Sequence, residues 1–190
     1  MVSTARTGYK ERQMKRAIIV ADVINGFLKF GNLASPRMQR VLPCIEARLK
    51  QDSAGSRIIF LHDNHAPDDP EFKMFPPHCI AGTDETLVVD ELQPYTKGAA
   101  LIPKTKYDGF FGTTLEAELE SFSGDEVIMT GVCTDICVLH TVEGLINRGY
   151  HVIVPRFCVE TYDAPGHDGD EVNKFALAHI RDVLGAEIAE

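Results

Sequence analysis

Short apolar runs of strand length recur along the chain, and segments with helical periodicity separate them. The runs lie at 17–21, 57–61, 100–102, 126–130, 150–154 and 187–189. They are almost continuously apolar, and several are rich in Val and Ile. That is the pattern of strands buried on both faces of a parallel sheet. Ser35-Pro36 supplies a cap and a first-position proline for a helix with Met38, Val41, Leu42, Ile45 and Leu49 turned inward, closed by Gly55. Thr113 or Thr114 can cap a helix carrying Leu115, Leu119 and Phe122. Thr134 can cap one that runs to Arg148 and ends at Gly149. Asp168 or Asp170 can cap the last, with Val172, Phe175, Ala176, His179, Ile180 and Val183 inward and Gly185 after it. Strands alternating with helices predict an α/β fold. The expected architecture is a single domain with a doubly wound, mainly parallel six-stranded sheet and helices on both faces, a Rossmann-like three-layer arrangement. Residues 1–15, polar and basic, are expected to form an arm ahead of a domain spanning 16–190.

Composition narrows the classes of function. With 44% apolar and 25% charged residues among 190, the chain carries enough apolar surface to fold. The net charge of −9 argues against a nucleic-acid backbone as the main partner. No apolar run approaches the roughly 18 residues of a membrane span. The polar start lacks the apolar stretch of a secretory signal. A cytoplasmic setting is therefore expected, with the five cysteines (Cys44, Cys79, Cys133, Cys137, Cys158) as reduced thiols.

In doubly wound folds ligands bind beyond the carboxyl ends of the strands, and polar residues collect there. Asp22 follows the first run. A carboxylate at that place is costly to desolvate unless it has a partner or a task; a helix cap or a lysine pair would also account for it. His62-Asp63-Asn64-His65 follows the second run, with Glu71 and His78 further along. One carboxylate and two imidazoles, with Glu71 as a fourth donor, suit Zn²⁺, Fe²⁺ or Mn²⁺. The alternative is a polar loop that only meets water and backbone. Lys104 follows the third run. If it meets Asp22, each favours the other's charged form. After the fourth run comes Gly131-Val-Cys-Thr-Asp-Ile-Cys-Val138. With Thr134 as cap, Cys137 falls at the third helical position. Free N–H groups there stabilise a thiolate or a developing oxyanion; a buried helix cysteine is the plainer alternative.

Asp22, Lys104 and Cys137, at successive strand ends, resemble the catalytic triad of the isochorismatase-like cysteine hydrolases, and the 131–138 segment resembles that family's nucleophile motif. The resemblance runs from about Ala17 to the C-terminus. Asp63-x-His65 and Phe75-Pro-Pro-His78-Cys-Ile-Ala-Gly-Thr83 are similar to the metal loop of nicotinamidases. Phe75 stands where that loop commonly has Trp, and Glu71 where some members have a second His. Ile24 and Gly26 replace a polar residue and an acid around Asn25.

The resemblance implies hydrolysis of a small-molecule amide through a Cys137 thioester. Asp22 would act as general base, Lys104 would hold it, and the N–H groups of Cys133 and Cys137 would form the oxyanion hole after a cis Val132–Cys133 peptide. It implies a divalent transition metal on Asp63, His65, His78 and Glu71, zinc foremost. Phe27, Phe75, Tyr107 and Val132 would surround a flat ring, and the chain would form a homo-oligomer. The leading expectation is conversion of nicotinamide to nicotinic acid and ammonia. The alternatives are a sister hydrolase acting on a carbamoyl or ureido amide, isochorismatase itself, and a non-catalytic binding protein on the same fold.

Overall fold

The computed structural model describes residues 16–122 and 126–190; the arm expected at 1–15 lies outside the described residues. Five parallel strands carry the sheet: β1 (Arg16–Ala21), β2 (Arg57–Asp63), β3 (Ala100–Lys104), β4 (Glu126–Val132) and β5 (His151–Pro155). Two short strands join it, β6 (Val159–Glu160) beside β4 and β7 (Glu187–Ala189) beside β5. The order is β3-β2-β1-β4-β5-β7, so the sheet has seven strands where six were expected. The two-residue β6 is too short to show as an apolar run.

β1 and β4 are central and buried almost throughout, which explains why their sequences do not alternate. Successive residues of β1 still serve opposite layers. Ile19 and Ala21 pack with α3 (Leu115–Phe122), α4 (Leu139–Asn147) and α5 (Gly169–Asp182). Ile18 and Val20 pack with α1 (Asn25–Leu28) and α2 (Leu42–Asp52). The proline after Ser35 starts a 3₁₀ stretch, Pro36–Val41, that runs into α2; Met38, Val41, Ile45 and Leu49 are buried as expected. Thr113 Oγ1 accepts the Leu115 N–H at the start of α3, and the Asp168 side chain caps α5.

Two expectations fail. Phe175 and Val183 do not face inward; they are 70% and 67% exposed. The buried stripe of α5 runs through Ala176 and Ile180, and Phe175, one residue round the helix, turns out to stack on His179. The thiols are not all reduced, because Cys44 of α2 and Cys158 are joined in a disulfide. Residues 114 apart in sequence reach a Cα separation of 5.1 Å only because α2 packs on the segment leading into β6.

The sheet reverses direction of winding between β1 and β4, and here the strands approach so closely that only glycine fits. Gly131 has φ +118°, and a Cβ on it would lie 2.0 Å from the Ala21 carbonyl oxygen. Gly131→Ala is expected to destabilise the fold by about 3 kcal/mol or more, from the left-handed backbone and the overlap together. Urea denaturation followed by circular dichroism measures it.

Candidate active site

The register of the sheet brings the polar strand ends together. Asp63 and Lys104 are paired neighbours on β2 and β3, so both are the last residues of their strands. Asp22 follows β1 with φ 56°, a left-handed conformation that a non-glycine residue adopts only under constraint. Its N–H donates to the Leu61 carbonyl at 2.8 Å, and its Oδ1 accepts the Asp63 N–H at 2.9 Å. That geometry turns Oδ2 toward Lys104 Nζ, 2.9 Å away. Lys104 Nζ also pairs with Asp63 Oδ1 and lies 3.3 Å from Cys137 Sγ. The ammonium thus faces three buried partners, two carboxylates and a thiol.

Burial sets the electrostatics of this cluster. Desolvation and the Asp63 charge push Asp22 up to about 6 in spite of Lys104. Burial also works against ionised Asp63, but the Lys104 charge and the facing His65 and His78 imidazoles outweigh it and hold this carboxyl well below the usual range. Lys104 is raised well above its ordinary value, because Asp22 and Asp63 overcome its own desolvation. Burial, reinforced by both carboxylates, lifts the Cys137 thiol well above its ordinary value against the pull of Lys104. The result is a protonated thiol beside a carboxylate poised near neutrality.

Cys137 lies in a π-helical turn, Thr134–Val138, that leads into α4. The cap is Cys133, not Thr134: the Cys133 carbonyl accepts the N–H groups of Ile136 and Val138, and the Thr134 hydroxyl is buried without a partner. The Val132–Cys133 peptide is cis, as the resemblance implied.

The second constellation shares Asp63. Its Oδ2 lies 3.6 Å from His65 Nε2 and 3.8 Å from His78 Nε2, and Glu71 Oε1 lies 3.8 Å from His78 Nε2. Ligands about 2.0–2.1 Å from a tetrahedral zinc sit roughly 3.3 Å apart, so these donors need close in by only a few tenths of an ångström. Each imidazole is anchored from behind: His65 Nδ1 on Asp69 Oδ2 at 3.2 Å, His78 Nδ1 on the Pro76 carbonyl at 2.9 Å. With Nδ1 so occupied, both Nε2 atoms turn inward, and that of His65 is buried with no hydrogen-bond partner. An orphaned imidazole nitrogen among inward carboxylates, with hydrogen-bond acceptors behind the rings, is the arrangement a divalent metal satisfies.

A cavity of about 260 Å³ opens over both constellations. Phe27, Phe75, Tyr107, Val132, Cys133 and Cys137 line it, as do Asp63, Glu71 and His78. Asp22, Lys104 and His65 lie behind this lining. Sequence reasoning missed the remaining wall, which includes Met38, Ile136 and Tyr162. It also missed Asp69, whose carboxylate holds His65 and accepts the Glu71 N–H at 2.9 Å. The Asp69-Pro70 pair is a cap-plus-proline signal that could have flagged it.

Among solved structures, a pyrazinamidase/nicotinamidase from Streptococcus mutans UA159 is 33% identical, with a TM-score of 0.82 over 91% of this chain and 99% of that one. An N-carbamoylsarcosine amidase from Thermoplasma acidophilum is 30% identical, with a TM-score of 0.80 over 93% and 96% of the two chains. A pyrazinamidase of Pyrococcus horikoshii, solved in complex with zinc, is 25% identical, with a TM-score of 0.80 over 92% and 98%. The isochorismatase domain model matches residues 16–183, and the chain belongs to the isochorismatase family.

Proposed function

We propose that the protein is a metal-dependent amidase that hydrolyses nicotinamide to nicotinic acid and ammonia, with Cys137 as nucleophile. The observation that carries this reading is the single buried cluster in which Lys104 touches Asp22, Asp63 and Cys137, set against the Asp63, His65, Glu71 and His78 donors.

In the proposed reaction Asp22 takes the thiol proton as Sγ attacks the amide carbon, and the proton passes to the departing nitrogen to give ammonia. The product is a thioester on Cys137. Asp22 then takes a proton from water, which attacks the thioester, and returns it to the sulfur as nicotinic acid leaves. Lys104 holds Asp22 in place throughout, and the N–H groups of Cys133 and Cys137 receive the developing oxyanion. A divalent metal on Asp63, His65, Glu71 and His78 would supply Lewis acidity beside the thioester centre. Zinc suits the mixed imidazole and carboxylate set, and the likeness to the zinc-bound pyrazinamidase supports it.

Charge favours nicotinamide over the carbamoyl alternative. Asp63, Glu71 and Asp163 line the cavity, and among the described residues no Lys or Arg side chain does. A substrate that carries a carboxylate, such as a carbamoylated amino acid, would find no basic side chain in that lining to pair with, and a bound metal would already have its charge balanced by Asp63 and Glu71. A neutral aromatic amide needs none, and Phe27, Phe75 and Tyr107 offer it ring contacts.

Cys137→Ala should abolish ammonia release while the protein stays folded; retained turnover would displace the nucleophile. Chelation should stop release and added zinc should restore it. His78→Ala is expected to weaken metal binding by about tenfold or more, read by elemental analysis after dialysis. Lys104→Met leaves Asp22 and Asp63 facing each other without a cation, and a stability loss of about 3–5 kcal/mol is expected in urea titrations at neutral pH.

A further inference from the structure

The nucleophile turn and the cavity wall opposite it are joined through one imidazole. Asp135 stands two residues before Cys137 in the turn. Its Oδ1 accepts the Thr161 hydroxyl at 2.6 Å, and its Oδ2 lies 3.1 Å from His167 Nε2. The other ring nitrogen, Nδ1, lies 2.9 Å from the Tyr162 carbonyl oxygen. Both partners are acceptor oxygens, and the ring lies within hydrogen-bond distance of the turn through one nitrogen and of the wall through the other. The Tyr162 ring stacks on the imidazole, with centroids 4.1 Å apart and planes 3° from parallel. Paired backbone hydrogen bonds between Ala164 and His167 fold the loop back so that the stack can form. Tyr162 and Ala164 line the cavity, and His167 and Asp135 do not. Nothing in the triad or among the metal donors uses this pair.

We propose that His167 is a positioning residue with two separable tasks: Nε2 fixes the Asp135 turn that presents Cys137, and Nδ1 with the ring face fixes the Tyr162 wall that shapes substrate binding. The assignment of the wall to substrate binding rests on the amidase reading above.

The two tasks separate by isosteric replacement. An Asn carboxamide nitrogen falls near the imidazole Nδ1, and a Gln carboxamide nitrogen near Nε2. The test uses the full-length, metal-loaded protein as wild type, His167→Asn and His167→Gln. One readout is the rate of iodoacetamide alkylation at Cys137, followed by mass spectrometry, which needs no substrate. The other is kcat and KM for ammonia release from nicotinamide. His167→Asn keeps the wall; KM should stay within about twofold while kcat and alkylation fall about tenfold, as expected for a displaced nucleophile. His167→Gln keeps the turn, and the opposite split is expected, with KM up about tenfold and alkylation nearly unchanged. Thr161→Val removes the second donor to Asp135 and leaves His167 alone, so it should slow alkylation without raising KM even if the His167 variants fail to fold. Equal losses in both His167 variants would reduce the residue to a general structural role and overturn the proposal. Unchanged alkylation in both His167→Asn and Thr161→Val would overturn it as well. A wild type that alkylates readily but releases no ammonia from nicotinamide would defeat the nicotinamide reading, and the alkylation contrast would still decide the Asp135 arm.

Discussion

A lysine ammonium with no access to solvent organises this molecule. Lys104 is buried at the end of β3 with its nitrogen against Asp22, Asp63 and Cys137. An unpaired charge in that place would cost several kcal/mol, and two carboxylates beside the nitrogen offset that cost. The demand reaches back into the backbone. Asp22 adopts a left-handed conformation, its carboxylate is oriented by the Asp63 N–H, and Asp63 is paired with Lys104 through the strand register. Four strand ends at the switch point are therefore tied to one nitrogen atom.

Asp63 carries that constraint into the second constellation. One of its oxygens faces Lys104 and the other faces His65 and His78. The same carboxylate thus belongs both to the Lys104 cluster and to the group of donors that could hold a metal ion. A divalent cation there would draw charge away from Lys104 and Asp22, and any change at the triad would alter the donor strength of Asp63. The two sites are electrostatically one, and their closeness follows from β2 and β3 being neighbours.

This explains which parts were legible in the sequence. Asp22, Asp63, Lys104 and Cys137 stand at or just beyond the ends of apolar runs, where the sheet itself dictates position. The length of a run and its last polar residue suffice to find them. The missed features depend on loops that return across the sheet. Tyr162 reaches the cavity from beyond β6, a strand of two residues with no periodic signal. The Cys44–Cys158 bond follows from the packing of α2 and could not be read from spacing. The cap at Cys133 was misread because Thr134, the better capping residue by type, has its hydroxyl buried by the turn that presents Cys137. The burial of Phe175 was overestimated because a helix of this length can be rotated by one residue without spoiling its apolar count.

The division between sheet and loops also separates chemistry from selectivity. Asp22, Lys104 and Cys137 are held at the ends of strands whose geometry tolerates little change, as the Gly131 contact with β1 shows. The cavity above them is walled by three loop segments: the stretch before Met38, the 71–78 loop and the turn around Tyr162. Two of these are tied together by Arg37, which spans from the Met38 wall to Glu160 beside the Tyr162 wall at 3.1 Å and to Asp170 of α5 at 2.5 Å. That arginine's charge is shared among carboxylates, Glu160 and Asp170 outside the cavity and Asp163, 3.7 Å away, in its lining. An anionic substrate would compete with three carboxylates for it.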